Sequence, residues 1–209
     1  ERPGKTGMAH LLEHLMFEGT AKFPHFDEAI HALGGENNAY TTNDYTNYYE
    51  IIPATHIEQI LKIEADRMTG LKIGSKKFLN QQKVVIEEFK ETHLNLPYGM
   101  SWHQLCDMMY PGHPYHWPVI GYSMDEIVAF TLKEVQDFYA THYAPNRAVL
   151  SVVGNLDEAA TMSQVKTYFE GLSASNQDAV LQDPIIAPHK IKQISREQVP
   201  QKAIHLAVL

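Results

Sequence analysis

Apolar residues at Met8, Leu11, Leu12, Leu15 and Met16 recur at the three-and-four spacing of a helix with one buried face. That pattern predicts a helix from Thr6 to Glu18, with Thr6 as its N-cap and Gly19 as its stop. Phe26 to Leu33 reads as a second, short helix ended by Gly34 and Gly35. The period then changes. The stretches ENNAYTT and TNYYEII are rich in Tyr, Thr and Ile, and they predict two strands joined by a turn at NDY, with Pro53 ending the second. Helical spacing returns from His56 to Met68, through Ile57, Ile60, Leu61 and Ile63. Ser75 is expected to cap a long helix running to about Asn95, with Phe78, Leu79, Val85, Ile86 and Phe89 as its apolar stripe. Further helices are expected at Met100 to Met109, Thr131 to Tyr143 and Thr161 to Leu172. Between them lie the loop YPGHPYHWPVIGY and RAVLSVVGN, whose composition predicts a buried strand.

Beyond residue 172 the sequence SASNQDAVLQDPIIAP is polar and proline-punctuated, as linkers are. HKIKQISREQ and QKAIHLAVL then read as two more strands. The order of helices, hairpin, helices and strands implies an α+β fold with helices packed on a mainly antiparallel or mixed sheet. The first helix and the final strand both begin or stop abruptly at the chain ends. The sequence also lacks an initiator Met, so the chain reads as a piece of a longer protein.

Composition narrows the functional classes. The chain has 209 residues, enough for one sizeable core. Its net charge is −8, from 17 basic against 25 acidic residues, which disfavours nucleic acid and anionic membrane as partners. No run of about 18 apolar residues is present, so no membrane-spanning helix is predicted. The single cysteine, Cys106, lies in an apolar helical pattern and reads as a buried, inert thiol. The 12 histidines are dispersed, so each is judged by its spacing.

Two of them, His10 and His14, sit four apart on the first predicted helix, with Glu13 beside them. Residues i and i+4 share a helix face, with Cβ atoms about 5–6 Å apart, so both imidazoles can reach one cation. Zinc favours neutral imidazole with a carboxylate, leaving a position open to water, and a carboxylate that does not ligate can act as general base. HxxEH supplies both functions in five residues; it is the inverzincin arrangement. With 12 His and 16 Glu in the chain, a chance match is expected only about 0.05 times. Histidines on a helix that is otherwise buried also need partners. A third ligand must come from elsewhere. The helix VVIEEFKETHLN offers Glu87, Glu88, Glu91 and His93, and spacing alone does not choose among the glutamates.

With its flanks, GMAHLLEHLMFEGT resembles the active-site helix of pitrilysin/insulinase-type zinc peptidases, which include the mitochondrial processing peptidases. Three further segments resemble that family in order: LGGENNAYTTNDYTNYYEI, NQQKVVIEEFKE and YAPNRAVLSVVGN. HPYHWPVIG is similar to small bacterial members, compatible with a bacterial cytoplasm or periplasm. The resemblance covers about residues 1 to 172. It implies a catalytic zinc-binding half-domain at 1–184, and at 185–209 the linker's end and the opening strands of a second, similar half that closes over substrate like a clamshell. It implies one Zn2+ per chain held by His10, His14 and Glu88, the glutamate directly before Phe89, with Glu13 as general base. It implies that Asn38, Ala39 and Tyr40 form a strand edge that takes an extended peptide as an added strand. Tyr45 and Tyr48 are expected to pack rather than react. Family members carry a further glutamate seven residues before the ligand; here that position is Gln81, an amide that can still hydrogen-bond a ligating histidine. The implied activity is zinc-dependent endopeptidase cleavage of peptides or unfolded segments, with a second half-domain or homologous subunit as partner. The alternative is a non-catalytic partner subunit on the same fold.

Overall fold

The computed structural model describes residues 1–174, 199 and 201–206. In chain order its elements are helices α1 (Met8–Met16) and α2 (Phe26–Ala32), strands β1 (Glu36–Thr41) and β2 (Thr46–Ile51), and helices α3 (Ile57–Gly70), α4 (Ser75–Phe89), α5 (Ser101–Met109), α6 (Met124–Val128), α7 (Leu132–His142) and α8 (Glu158–Phe169). The α+β class expected from the sequence is therefore the observed one. Among the described residues the sheet is the antiparallel pair β1–β2, in register from Glu36 opposite Ile51 to Thr41 opposite Thr46.

Helix α1 is the centre of the core. Met8, Leu11, Leu12, Leu15 and Met16 are all buried, as their spacing requires. They pack with Val85 and Phe89 of α4, Ile127 of α6 and Val135 of α7. Full burial of such side chains contributes about 1.5–3 kcal/mol each, which fixes α1 against α4 and so fixes what the two helices carry. A second cluster, Phe26, Ile30, Ile60 and Ile63, joins α2 to α3.

The entry to α1 differs from the expected cap. Gly7, not Thr6, is the N-cap residue, with φ at 86°. A Cβ there would stand 2.5 Å from the carbonyl oxygen of Ile120, so the position is restricted to glycine by both backbone and space. Thr6 instead ties the helix to the α6 region: its backbone N–H and hydroxyl both donate to Glu126 Oε2 (2.9 and 2.6 Å), and the hydroxyl accepts from the Tyr122 N–H at 2.7 Å.

Helix α4 also departs from expectation. Ser75 is its first residue and Gly74 its cap. The helix ends at Phe89, and a π-helical turn, Lys90–Leu94, replaces the expected continuation. Its buried stripe is Phe78, Gln82, Val85 and Phe89, whereas Leu79 faces outward. Gln82 occupies a core position because its amide donates to the Ile127 carbonyl at 2.8 Å, closing the end of α6. Helix α8 starts three residues earlier than the apolar pattern suggests, because Asp157 caps it by accepting the Ala160 N–H at 2.7 Å.

Two strand expectations fail. RAVLSVVGN forms no strand and is not buried: Val149 and Val153 are 95% and 93% exposed. Residues 201–206 of QKAIHLAVL are likewise without strand structure. A strand exists only through a neighbour that takes its backbone hydrogen bonds, and among the described residues neither segment has one. The expected strand HKIKQISREQ and the expected boundary at 184/185 lie outside the described residues.

Candidate metal centre

The side chains of His10, His14 and Glu88 converge between α1 and α4, with one ligand atom from each lying within 4.8 Å of the others. Among the described residues it is the only such group of histidine, cysteine and carboxylate side chains. The Nε2 atoms of His10 and His14 stand 3.6 and 3.4 Å from the two Glu88 oxygens. These separations are long for a hydrogen bond. They match instead the spacing of about 3.4 Å between tetrahedral donors that each lie about 2.1 Å from a zinc ion. Imidazole nitrogens with one carboxylate are also a donor set that zinc favours. The residues fit the ion. Of the glutamates the sequence left open, the fold brings Glu88 to the histidines; Glu91 is exposed on the π-helical turn.

The electrostatics of the three groups are linked. Burial lowers the His10 pKa against the attraction of Glu88. Burial acts on His14 in the same sense but is outweighed by the close Glu88 carboxylate and by the charge of Glu13, so its pKa is raised. The nearby His14 in turn lowers the Glu88 carboxyl, against its own desolvation. Gln81 donates to Glu18 Oε1 at 2.7 Å, and its amide, close to His14, contributes to the rise without adding charge.

Glu13 sits on the same face of α1, and its Oε2 accepts a hydrogen bond from the Thr41 hydroxyl. A cleft of about 440 Å³ opens over His10, Glu13 and Glu88. Ala39, Tyr40 and Thr41 of β1 form one side of it, and His93, Trp102 and Val119 lie around it. Asn38 is not part of its lining. Its side chain instead holds the Ala39 N–H at 2.8 Å. Strand β1 alternates between exposed Asn38 and Tyr40 and partly buried Asn37, Ala39 and Thr41.

Of the two tyrosines expected to pack, Tyr48 does so, against the α1 core. Tyr45 does not: it is 57% exposed at the hairpin tip, with its ring edge-on to Tyr40. Cys106 is buried, and burial pushes its thiol up to about 11, in keeping with an inert side chain. Thr41 and Trp102 were not singled out in the sequence, and His93 was named there only among the candidates for a third ligand. For Thr41 a signal was there: it is two positions beyond Ala39, hence on the same strand face.

Residues 1–119 match the family model described as insulinase (peptidase family M16), and residues 129–209 match the one described as peptidase M16 inactive domain. The chain is 35% identical over 182 residues to the zinc protease PqqE of Helicobacter pylori, covering 86% of this chain and 41% of that protein. It is 26% identical over 174 residues to a probable mitochondrial-processing peptidase subunit beta of Arabidopsis thaliana, covering 80% of this chain and 32% of that one. The chain thus spans less than half the length of these curated relatives. The fold superposes on a crystal structure of a protease from Helicobacter pylori with a TM-score of 0.82 at 33% identity, over 87% of this chain and 44% of that one. The first half of the periplasmic protease PqqL from Escherichia coli shares the fold, with a TM-score of 0.73 at 21% identity, over 87% and 40% of the two chains. With more than half of its length matched by the first model, the chain belongs to the insulinase family, peptidase family M16.

Proposed function

We propose that this chain is the zinc-holding half of an M16 endopeptidase, with His10, His14 and Glu88 as the ligands of one zinc ion and Glu13 as the general base. The observation that carries the reading is the convergence of those three side chains at tetrahedral donor spacing, with Glu13 on the same helix face. The zinc protease names of the relatives support the choice of metal. Zinc, when bound, supplies Lewis acidity that polarises a carbonyl and acidifies water to a pKa of about 7. Glu13 accepts the proton of the attacking water and returns it to the leaving amine.

The β1 edge, Ala39 to Thr41, faces the cleft and suits an extended peptide added as a further strand. Asn38 supports that edge through Ala39 rather than touching substrate. Gln81 lies close to His14 and supports it. A second half-domain, or a homologous subunit, closes the cleft. Support for this comes from the relatives, which extend well beyond the matched region, and from the first-half structure of PqqL. Among the described residues no helix is long and apolar enough to cross a membrane. Residues 1–184 form the catalytic half in this reading, and 185–209 begin the next.

In the full-length protein, Glu13→Gln is expected to abolish cleavage of an unstructured peptide while zinc stays near one per chain. His14→Ala is expected to lose the zinc. Wild-type cleavage by Glu13→Gln refutes the assignment of the base. Removal of the C-terminal half is expected to depress cleavage strongly, and equal activity without it refutes the role given to that half.

A further inference from the structure

Behind Glu13 lies a run of hydroxyl groups that the assignment above does not use. Thr41 Oγ1 donates to Glu13 Oε2 and stands 3.1 Å from Thr46 Oγ1 across the β1–β2 ladder. Nearby, the Tyr143 hydroxyl stands 2.9 Å from the hydroxyl of Tyr48. Two hydroxyls therefore back the carboxylate across the hairpin.

The chain has one permitted direction. A carboxylate can only accept, so Thr41 must donate to it. Thr41 then receives from Thr46. Each bond in such a chain polarises the next.

We infer that Thr41 is a positioning residue for the general base: backed by Thr46, it holds Oε2 of Glu13 so that Oε1 is the oxygen turned to the attacking water. Glutamate has three rotatable bonds, and a base must lie within about 3 Å of its proton donor to act. A carboxylate tied at one oxygen has lost most of that freedom before substrate arrives. The hairpin thereby has a second use. The strand that offers its backbone edge to the peptide also carries the side chain that aims the base. This inference rests on the role assigned to Glu13 above.

The test uses the full-length protein loaded with zinc and an unstructured peptide substrate. Thr41→Val removes the hydroxyl at nearly constant volume. Its kcat is expected to fall about tenfold or more, a loss typical of a misplaced general base. KM is expected to stay within about twofold and zinc content at the wild-type level, because neither the strand edge nor a ligand has changed. Thr41→Ser is expected to restore most of kcat. A crystal structure of Thr41→Val is expected to show the Glu13 carboxylate rotated.

Unchanged kcat, a rise in KM alone, an equally impaired Thr41→Ser, or an unmoved Glu13 in that crystal structure would each overturn the inference. Should Thr41→Val fail to fold, Thr46→Val breaks the chain one link back; a fall of a few-fold in kcat is expected, and no change overturns the role of the chain. Glu13→Gln serves as the control. If it is inactive while Thr41→Val is wild-type, the positioning role fails alone; if Glu13→Gln is itself active, the assignment of the base has failed.

Discussion

Arg67 offers a sharp test of how this fold holds charge in its core. The residue is buried at the middle of the molecule, with a side chain only 2% exposed. Its Nη2 donates to Glu64 at 2.8 Å and to Glu50 at 3.3 Å. Its guanidinium lies over the rings of Phe26 and Tyr48, 4.1 and 4.9 Å from their centroids. Burial and the neighbouring Glu64 push the Glu50 carboxyl up to about 8, against the pull of Arg67. Near neutrality two carboxylates therefore share one cation and one proton.

Replacing Arg67 by Met keeps most of the volume and removes the charge. Glu50 and Glu64, both partly buried, then lose their counter-charge, and the cost is expected to be about 3–5 kcal/mol, the range for breaking a buried pair from one side. The pH dependence follows from the raised pKa. Glu50 contributes stability that is complete below its unfolded value of 4.5 and is lost as pH rises through about 8. Removing Arg67 raises that pKa further, so the variant goes on losing stability above pH 8, where this contribution has levelled off in the wild type. Urea unfolding of wild type and Arg67→Met at pH 7 and pH 9.5 measures both effects. A cost under about 1 kcal/mol at pH 7, or a cost that does not grow towards pH 9.5, refutes the reasoning. The triple variant Arg67→Met, Glu50→Gln, Glu64→Gln is expected to lie within about 1 kcal/mol of wild type, because the charges leave together.

Gly7→Ala places a Cβ against the Ile120 carbonyl at a positive φ, so a loss of roughly 2–4 kcal/mol is expected; an unchanged melting temperature refutes the account of the α1 entry. Glu88→Ala is expected to lose zinc while Glu91→Ala keeps it, read by metal analysis; equal zinc in both refutes the choice of ligand. Zinc must displace a proton from His14, whose pKa is raised, so zinc affinity should fall as pH drops below neutrality, approaching tenfold per unit for one proton. Competition with a chromogenic chelator from pH 8 to pH 5.5 checks this, and a flat profile refutes it.

His10, Glu13 and His14 were legible because helical geometry is local: four residues on one buried helix decide which side chains share a face, and the apolar stripe at Leu11, Leu12 and Leu15 said which face goes inward. The period-2 hairpin was legible for the same reason, and its register followed from the short turn. The third ligand was not, since Glu87, Glu88 and Glu91 differ only in how α4 is rotated against α1. That rotation is set by Phe78, Gln82, Val85 and Phe89 packing against the core. Nor could spacing show Gln82 as a core residue, because its amide is satisfied by the Ile127 carbonyl, 45 residues away. The apolar run at 149–153 illustrates the opposite limit: composition declared a buried strand, but a strand needs a partner, and none of the described residues supplies one. Sequence by itself determined which residues could bind a metal and take a proton. Tertiary structure decided which glutamate is brought to the two histidines and that Thr41 hydrogen-bonds Glu13. These are contacts between elements far apart in the chain, fixed only by the packing of α1, α4 and the β1–β2 hairpin around a common core.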